Sequence, residues 1–154
     1  VGVTSLTVTV NAPDAEVGRH IYTWVRHEGV LYRGREAAEV LIGAQLRGIG
    51  AALAAGLVLK VNTVLIPGIN DQHVARLAHR LAELGVRLMN LVPLIPAGRM
   101  SGRRPPTCDE LRQARAACEV AVPQFRRCEQ CRADVVRLPR GLSFSDAAAG
   151  SRTG

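Results

Sequence analysis

Lys60-Val61-Asn62-Thr63-Val64-Leu65-Ile66-Pro67-Gly68 is the stretch whose reading decides the fold. With Leu57, Val58 and Leu59 ahead of it, it reads as a strand over residues 57–66, stopped by the proline–glycine pair. Asp71 then predicts a helix running to about residue 84, with Val74, Leu77, Leu81 and Leu84 on one stripe and Gly85 at its end. Residues 87–94 read as the next strand. Strand, helix and strand in that order make a βα unit, which calls for parallel pairing and a right-handed crossover.

The same alternation extends towards the beginning of the chain. Leu6, Val8 and Val10 alternate with Ser5, Thr7, Thr9 and Asn11, the pattern of a strand with one apolar and one polar face. Pro13-Asp14 predicts a helix through Ile21, Trp24 and Val25, because proline is tolerated in a first turn and an acid suits the positive helix end. Residues 26–35 read as a loop and residues 36–55 as a longer helix that Gly56 closes. Beyond the third strand, a loop over residues 96–106 holds three prolines and two glycines. Thr107-x-x-Glu110 then forms a capping box for a helix to about residue 120. The expectation is an α/β fold with three parallel strands and helices over residues 1–122. A cysteine-bearing segment over 123–140, with a short strand at 135–138, and a disordered tail over 141–154 follow it.

Composition narrows the function classes. At 154 residues the chain is long enough for one domain with a real core. Its net charge of +7 comes almost wholly from arginine, with Lys60 the sole lysine, and is spread along the chain. Aromatic residues make up only 3%, which leaves few stacking platforms, so no nucleic-acid partner is expected. No apolar run is expected to span a bilayer, and no signal peptide is evident. Four cysteines without extracellular signals argue for a reducing, cytoplasmic compartment. The chain opens on Val1 and reads almost at once into a strand, which suggests a piece of a longer protein.

Chemistry concentrates in two places. Arg126-Arg127-Cys128-Glu129-Gln130-Cys131-Arg132 puts two soft sulfur ligands on one short turn. Alone, that spacing admits a metal or cluster site, a redox dithiol or two inert thiols. On the barrel-like reading of the βα units, the polar strand faces turn Thr7, Thr9 and Asn11, and Lys60, Asn62, Val64 and Ile66, the same way. Such a face lines a ligand cavity or meets solvent at a sheet edge. Ligands of such folds bind at strand carboxyl ends, which are Asn11, the run from Ile66 to Asp71, and Pro93. Lys60 is placed to pair with a carboxylate or to meet an anionic ligand. Cys108 and Cys118 read as thiols of a helix, and the four histidines share no metal spacing.

Taken in order, several runs resemble one family. They are Thr7-Val8-Thr9-Val10-Asn11, Ile21-Tyr22-x-Trp24-Val25-Arg26, Tyr32-Arg33-Gly34-Arg35-Glu36, the run from Lys60 to Asp71, Asn90-Leu91-Val92-Pro93-Leu94-Ile95, and Cys128-x-x-Cys131-Arg132-Ala133-Asp134. The chain resembles the radical S-adenosylmethionine (SAM) enzymes that build the precursor of the nitrogenase iron–molybdenum cofactor. That resemblance implies the C-terminal half of a partial (β/α) barrel, 4Fe–4S clusters, and reductive cleavage of SAM. It implies fusion of iron–sulfur clusters with insertion of a SAM-derived carbon. It makes Cys128 and Cys131 ligands to a substrate cluster and Ile66 a contact to the adenine, with Asn11 and Asn62 facing the same cavity. The implied partners are the cluster donor and cofactor-carrier proteins of nitrogenase assembly. The alternative is a small zinc- or iron–sulfur-binding module without SAM chemistry. The chain departs from the family pattern in having no Cys-x-x-x-Cys-x-x-Cys and no His-Gly in the loop at 96–106, and in placing Met89 where some members have histidine.

Overall fold

The computed structural model describes residues 2–125. The Cys128–Cys131 segment, the expected strand at 135–138 and the tail from residue 141 therefore lie outside the described residues. The elements run β1 (Ser5–Thr9), α1 (Ala15–Gly18), β2 (Trp24–His27), β3 (Val30–Arg33), α2 (Gly34–Ala54), β4 (Val58–Leu65), α3 (Val74–Glu83), β5 (Met89–Pro93) and α4 (Cys108–Glu119), with a 3-10 turn at Gly98–Met100. β1, β4 and β5 form one sheet in the order β1–β4–β5, and both pairings are parallel. The expected α/β class and its three parallel strands are present.

Register shows which side chains share a face. Val8 lies beside Val61, Val61 beside Met89, and the buried Thr63 beside Leu91; the four apolar residues belong to or pack on the main core. Ile49 and Ala52 of α2, Val74, Leu77, Ala78 and Leu81 of α3, and Ala114 and Cys118 of α4 complete that core. The result is two layers, sheet on helices. Each large apolar side chain it buries contributes about 1.5–3 kcal/mol, and the stripe of α3 supplies Leu77 and Leu81 with no exposure at all. Residues 123–125 add a short parallel bridge beyond β5, through Met89 and Gln124.

Two sequence expectations are corrected and a third is qualified. The first concerns the helix expected through Val25: α1 stops at Gly18, and Trp24–His27 pairs antiparallel with Val30–Arg33. The supposed loop at 26–35 is therefore mostly the turn and second strand of a hairpin. Its turn places Glu28 at φ 50° and Gly29 at φ 82°, and this left-handed pair matches the right-handed twist of two-residue hairpins. The second concerns α3, which begins at Val74 after His73. Asp71 does not cap it; its Oδ1 accepts from the Gly68 backbone N–H at 3.0 Å, closing the turn after β4. The third concerns α2, which at 21 residues is long and apolar enough, by length and composition, to cross a membrane. In this fold its Ala37, Ala38, Ile42, Ile49 and Ala52 are buried in the protein's own core.

One expected detail holds, and one close approach comes from the structure alone. Thr107 accepts from the Glu110 N–H while the Glu110 carboxylate accepts from the Thr107 N–H, so the capping box of α4 is complete. Gly18 lets α1 approach α2 closely. A Cβ there would come within 2.9 Å of both Ala38 Cβ and Ile42 Cδ1.

Candidate functional site

The carboxyl ends of β1 and β4 are held together by short polar side chains where the ladder runs out. The last rung is the Val10 N–H to the Asn62 carbonyl at 2.9 Å. One residue on, the Asn11 Oδ1 takes the place of a backbone carbonyl and accepts from the Val64 N–H at 2.9 Å. Asn70, wholly buried, finishes the job from the turn. Its Oδ1 accepts from the Ile66 N–H at 2.7 Å, and its Nδ2 donates to the carbonyls of Asn11 at 2.9 Å and Val64 at 2.7 Å. Asparagine suits these positions because its amide mimics a peptide group, donor and acceptor both. The Asn11 N–H donates to the Tyr22 hydroxyl at 3.2 Å, and burial pushes that phenol above its ordinary range.

The sheet face away from the helices is polar. Register aligns Thr7 with Lys60, Thr9 with Asn62, Asn62 with Asn90, and Val64 with Val92. Asn90 Nδ2 donates to Asn62 Oδ1 at 3.3 Å, and both amides are buried, at 1% and 9% exposure. The Asn90 Oδ1 is buried with no hydrogen-bond partner among the described residues. Lys60 Nζ sits 5.0 Å from the Phe125 ring centroid, a cation–π distance. Hydroxyls, amides and one ammonium can bind and orient a ligand.

The sequence-predicted residues fall on this framework unevenly. Asn11 and Ile66 meet at the rim through Asn70, and Asn62 lies on the polar face two residues before Val64. The Ile66 side chain is 2% exposed, so a ligand ring would reach it only after its cover moves. Cys128 and Cys131 lie outside the described residues. Among the described residues no cluster of three His, Cys, Asp or Glu side chains is arranged to hold a metal. Cys108 is exposed, while burial pushes the Cys118 thiol up to about 12, far from the thiolate a metal needs. Asn70 and Asn90 received no role from the sequence. Their signal was an asparagine just after a strand-ending Pro-Gly and another inside an apolar strand.

No protein-family model matches the chain. Individual relatives do. Over 136 residues it is 48% identical to the FeMo cofactor biosynthesis protein NifB of Methanocaldococcus jannaschii, covering 88% of this chain and 45% of that protein. The chain is a relative of the NifB proteins. It is 40% identical over 144 residues to NifB of Klebsiella pneumoniae, covering 90% of this chain and 31% of the relative. For NifB of Chlorobaculum tepidum the figures are 37% over 138 residues, 88% and 32%. The chain thus spans less than half the length of these NifB proteins.

Proposed function

We propose that this chain supplies part of the ligand-binding framework of a radical SAM enzyme, one that fuses iron–sulfur clusters and inserts a SAM-derived carbon to form the precursor of the nitrogenase iron–molybdenum cofactor. The observation that carries the reading is the 48% identity to a NifB protein across 88% of the chain. The polar sheet face and the asparagine-tied rim support it, because ligands of parallel α/β sheets collect at strand carboxyl ends.

For SAM, the described residues fit in part. The rim offers the apolar Ile66 and the amides of Asn11 and Asn62 towards an adenosyl group. Asn11 already spends its Oδ1 on Val64, so its role is to fix the rim rather than to grip the ligand. Asn62 keeps a 9% exposed surface on the polar face and is the better placed of the two amides. A 4Fe–4S cluster, when bound, supplies the electron for reductive cleavage of SAM. Among the described residues no set of side chains fits such a cluster. Cys128 and Cys131 are proposed as ligands to a substrate cluster, flanked by Arg126, Arg127 and Arg132, whose charge favours thiolates. Cluster donor and cofactor-carrier proteins in the cytoplasm are the proposed partners.

Anaerobic reconstitution with iron and sulfide, followed by iron and zinc analysis and Mössbauer spectra, tests the proposal. The full-length protein is expected to hold more cluster iron than its Cys128→Ala/Cys131→Ala variant. Equal iron in both would sink the assignment of these ligands, and zinc without iron would favour a binding module.

A further inference from the structure

We propose that the outer face of the β2–β3 hairpin is a docking surface for an acidic segment of a protein partner. The hairpin stands apart from the parallel sheet as a separate two-stranded ribbon. Its register sets Trp24 beside Arg33 and Arg26 beside Leu31, and these four side chains line one shallow depression. The alternate residues Val25 and Tyr32 are half-buried on the opposite face, the side on which the hairpin packs against α2. Trp24 is 58% exposed and Leu31 42%, although each is a side chain that a folded chain ordinarily covers.

Charge identifies the occupant. Arg26 and Arg33 make no ion pair among the described residues, whereas Arg19, Arg35, Arg76, Arg104 and Arg112 each meet a carboxylate. The face therefore offers two guanidinium groups on either side of an indole and an isobutyl group, with no carboxylate among its four residues. Tryptophan and arginine are the side chains that most often anchor protein interfaces. The complementary segment carries Asp or Glu side chains about an apolar anchor, the carboxylates forming two-pronged bonds to the arginines. Nucleic acid fits less well, because its affinity needs many phosphate contacts and repeated stacking, and this face has one ring and two cations. This inference is independent of the proposed cluster chemistry.

Trp24 is the sole tryptophan, so its fluorescence reports on this face alone. A displayed random-peptide library is selected on the 154-residue chain, with counter-selection against the Arg26→Glu/Arg33→Glu variant. The expected winners are acidic peptides with one apolar anchor that shift Trp24 emission to the blue. Their binding should weaken by at least about tenfold in the double variant and in Leu31→Ser, and with rising salt. Circular dichroism confirms that these surface variants fold. Winners without acidic residues, or binding unchanged in the double variant, would overturn the proposal. So would an emission shift produced only by a single-stranded oligonucleotide or by anionic phospholipid vesicles. Self-association that the double variant abolishes would put a second copy of the chain on this face and likewise overturn it.

Discussion

Asn70 holds Asn11 in place: its Nδ2 donates to the Asn11 carbonyl at 2.9 Å while the same nitrogen reaches the Val64 carbonyl at 2.7 Å. One buried amide thus ties the carboxyl ends of two parallel strands. Asn70→Ala leaves the Ile66 N–H and two carbonyls to find other partners, and is expected to lower stability by about 2–3 kcal/mol. Urea unfolding followed by circular dichroism measures it. A loss below about 0.5 kcal/mol would mean that water replaces the amide and the rim is not tied by it.

Ile66 bears on two quantities at once. Ile66→Asp puts a carboxylate at a site with 2% exposure, so it is expected to weaken SAM binding and lower stability together. Ile66→Val separates them, because it removes one methylene and costs about 0.5–1.5 kcal/mol. Calorimetric SAM titration of both variants, on protein shown to be folded, is the measurement. Unchanged SAM affinity in folded Ile66→Asp would assign Ile66 to packing alone.

The two helix thiols should differ sharply in reactivity. Cys108 is exposed and Cys118 is buried, its thiol pushed up to about 12 by burial. Iodoacetamide at pH 8 is expected to alkylate Cys108 in the native chain and Cys118 only after unfolding. Peptide mass mapping of labelled sites reads the outcome, and native labelling of Cys118 would contradict its place in the core.

Glu110 makes stability depend on acid. Its hydrogen bond to Arg104, and then the Thr107 N–H, hold its carboxyl down at about 2, against an ordinary 4.5. A depressed carboxyl contributes stability above its unfolded value and loses it as pH falls through the folded one. The midpoint of thermal unfolding should therefore fall between pH 4.5 and about 2 more steeply in the parent than in Glu110→Gln. Identical slopes would show that the pair with Arg104 is absent in solution.

Gly18 should not tolerate a side chain. A methyl group 2.9 Å from Ala38 Cβ and Ile42 Cδ1 forces α1 away from α2, and Gly18→Ala is expected to lower stability by about 1–3 kcal/mol. Gly48 offers the control, since a Cβ there meets nothing within 4 Å. Equal unfolding midpoints for the two alanine variants would remove the close approach as a constraint.

The parallel sheet and its helices were legible because their periodicities were unmixed. Val8 and Val10 against Thr7 and Thr9 could be nothing but a two-faced strand, and Val74, Leu77 and Leu81 named the buried side of α3, whereas Leu84, expected on the same stripe, follows the helix and is exposed. The hairpin was not legible, for two reasons. Trp24 and Leu31 share the solvent face with Arg26 and Arg33, so apolar residues did not mark the inside. Its turn also uses Glu28 in the left-handed region, where asparagine or aspartate would have announced it. The strand carboxyl ends that frame the candidate site, at Asn11 and Ile66, were legible. The link that Asn70 makes was hidden, because a side chain bonding across 59 positions of sequence leaves no periodic trace. Asp71 looked like a helix cap for the same local reason that it closes a turn: a short carboxylate serves either N–H group equally well.

The placing of β4 between β1 and β5 governs the order in which the chain can fold. β5 follows β4 after one helix, whereas the partners in the β1–β4 ladder lie 53 residues apart, with the hairpin and all of α2 between them. Closing that long loop loses more chain entropy than the β4–β5 crossover does. On that ground the β4–α3–β5 unit is expected to pair before β1 joins it, which hydrogen-exchange protection appearing in β4 and β5 before β1 during refolding would check. In the folded chain the Asn11 and Asn70 side chains latch the carboxyl end of that strand to β4.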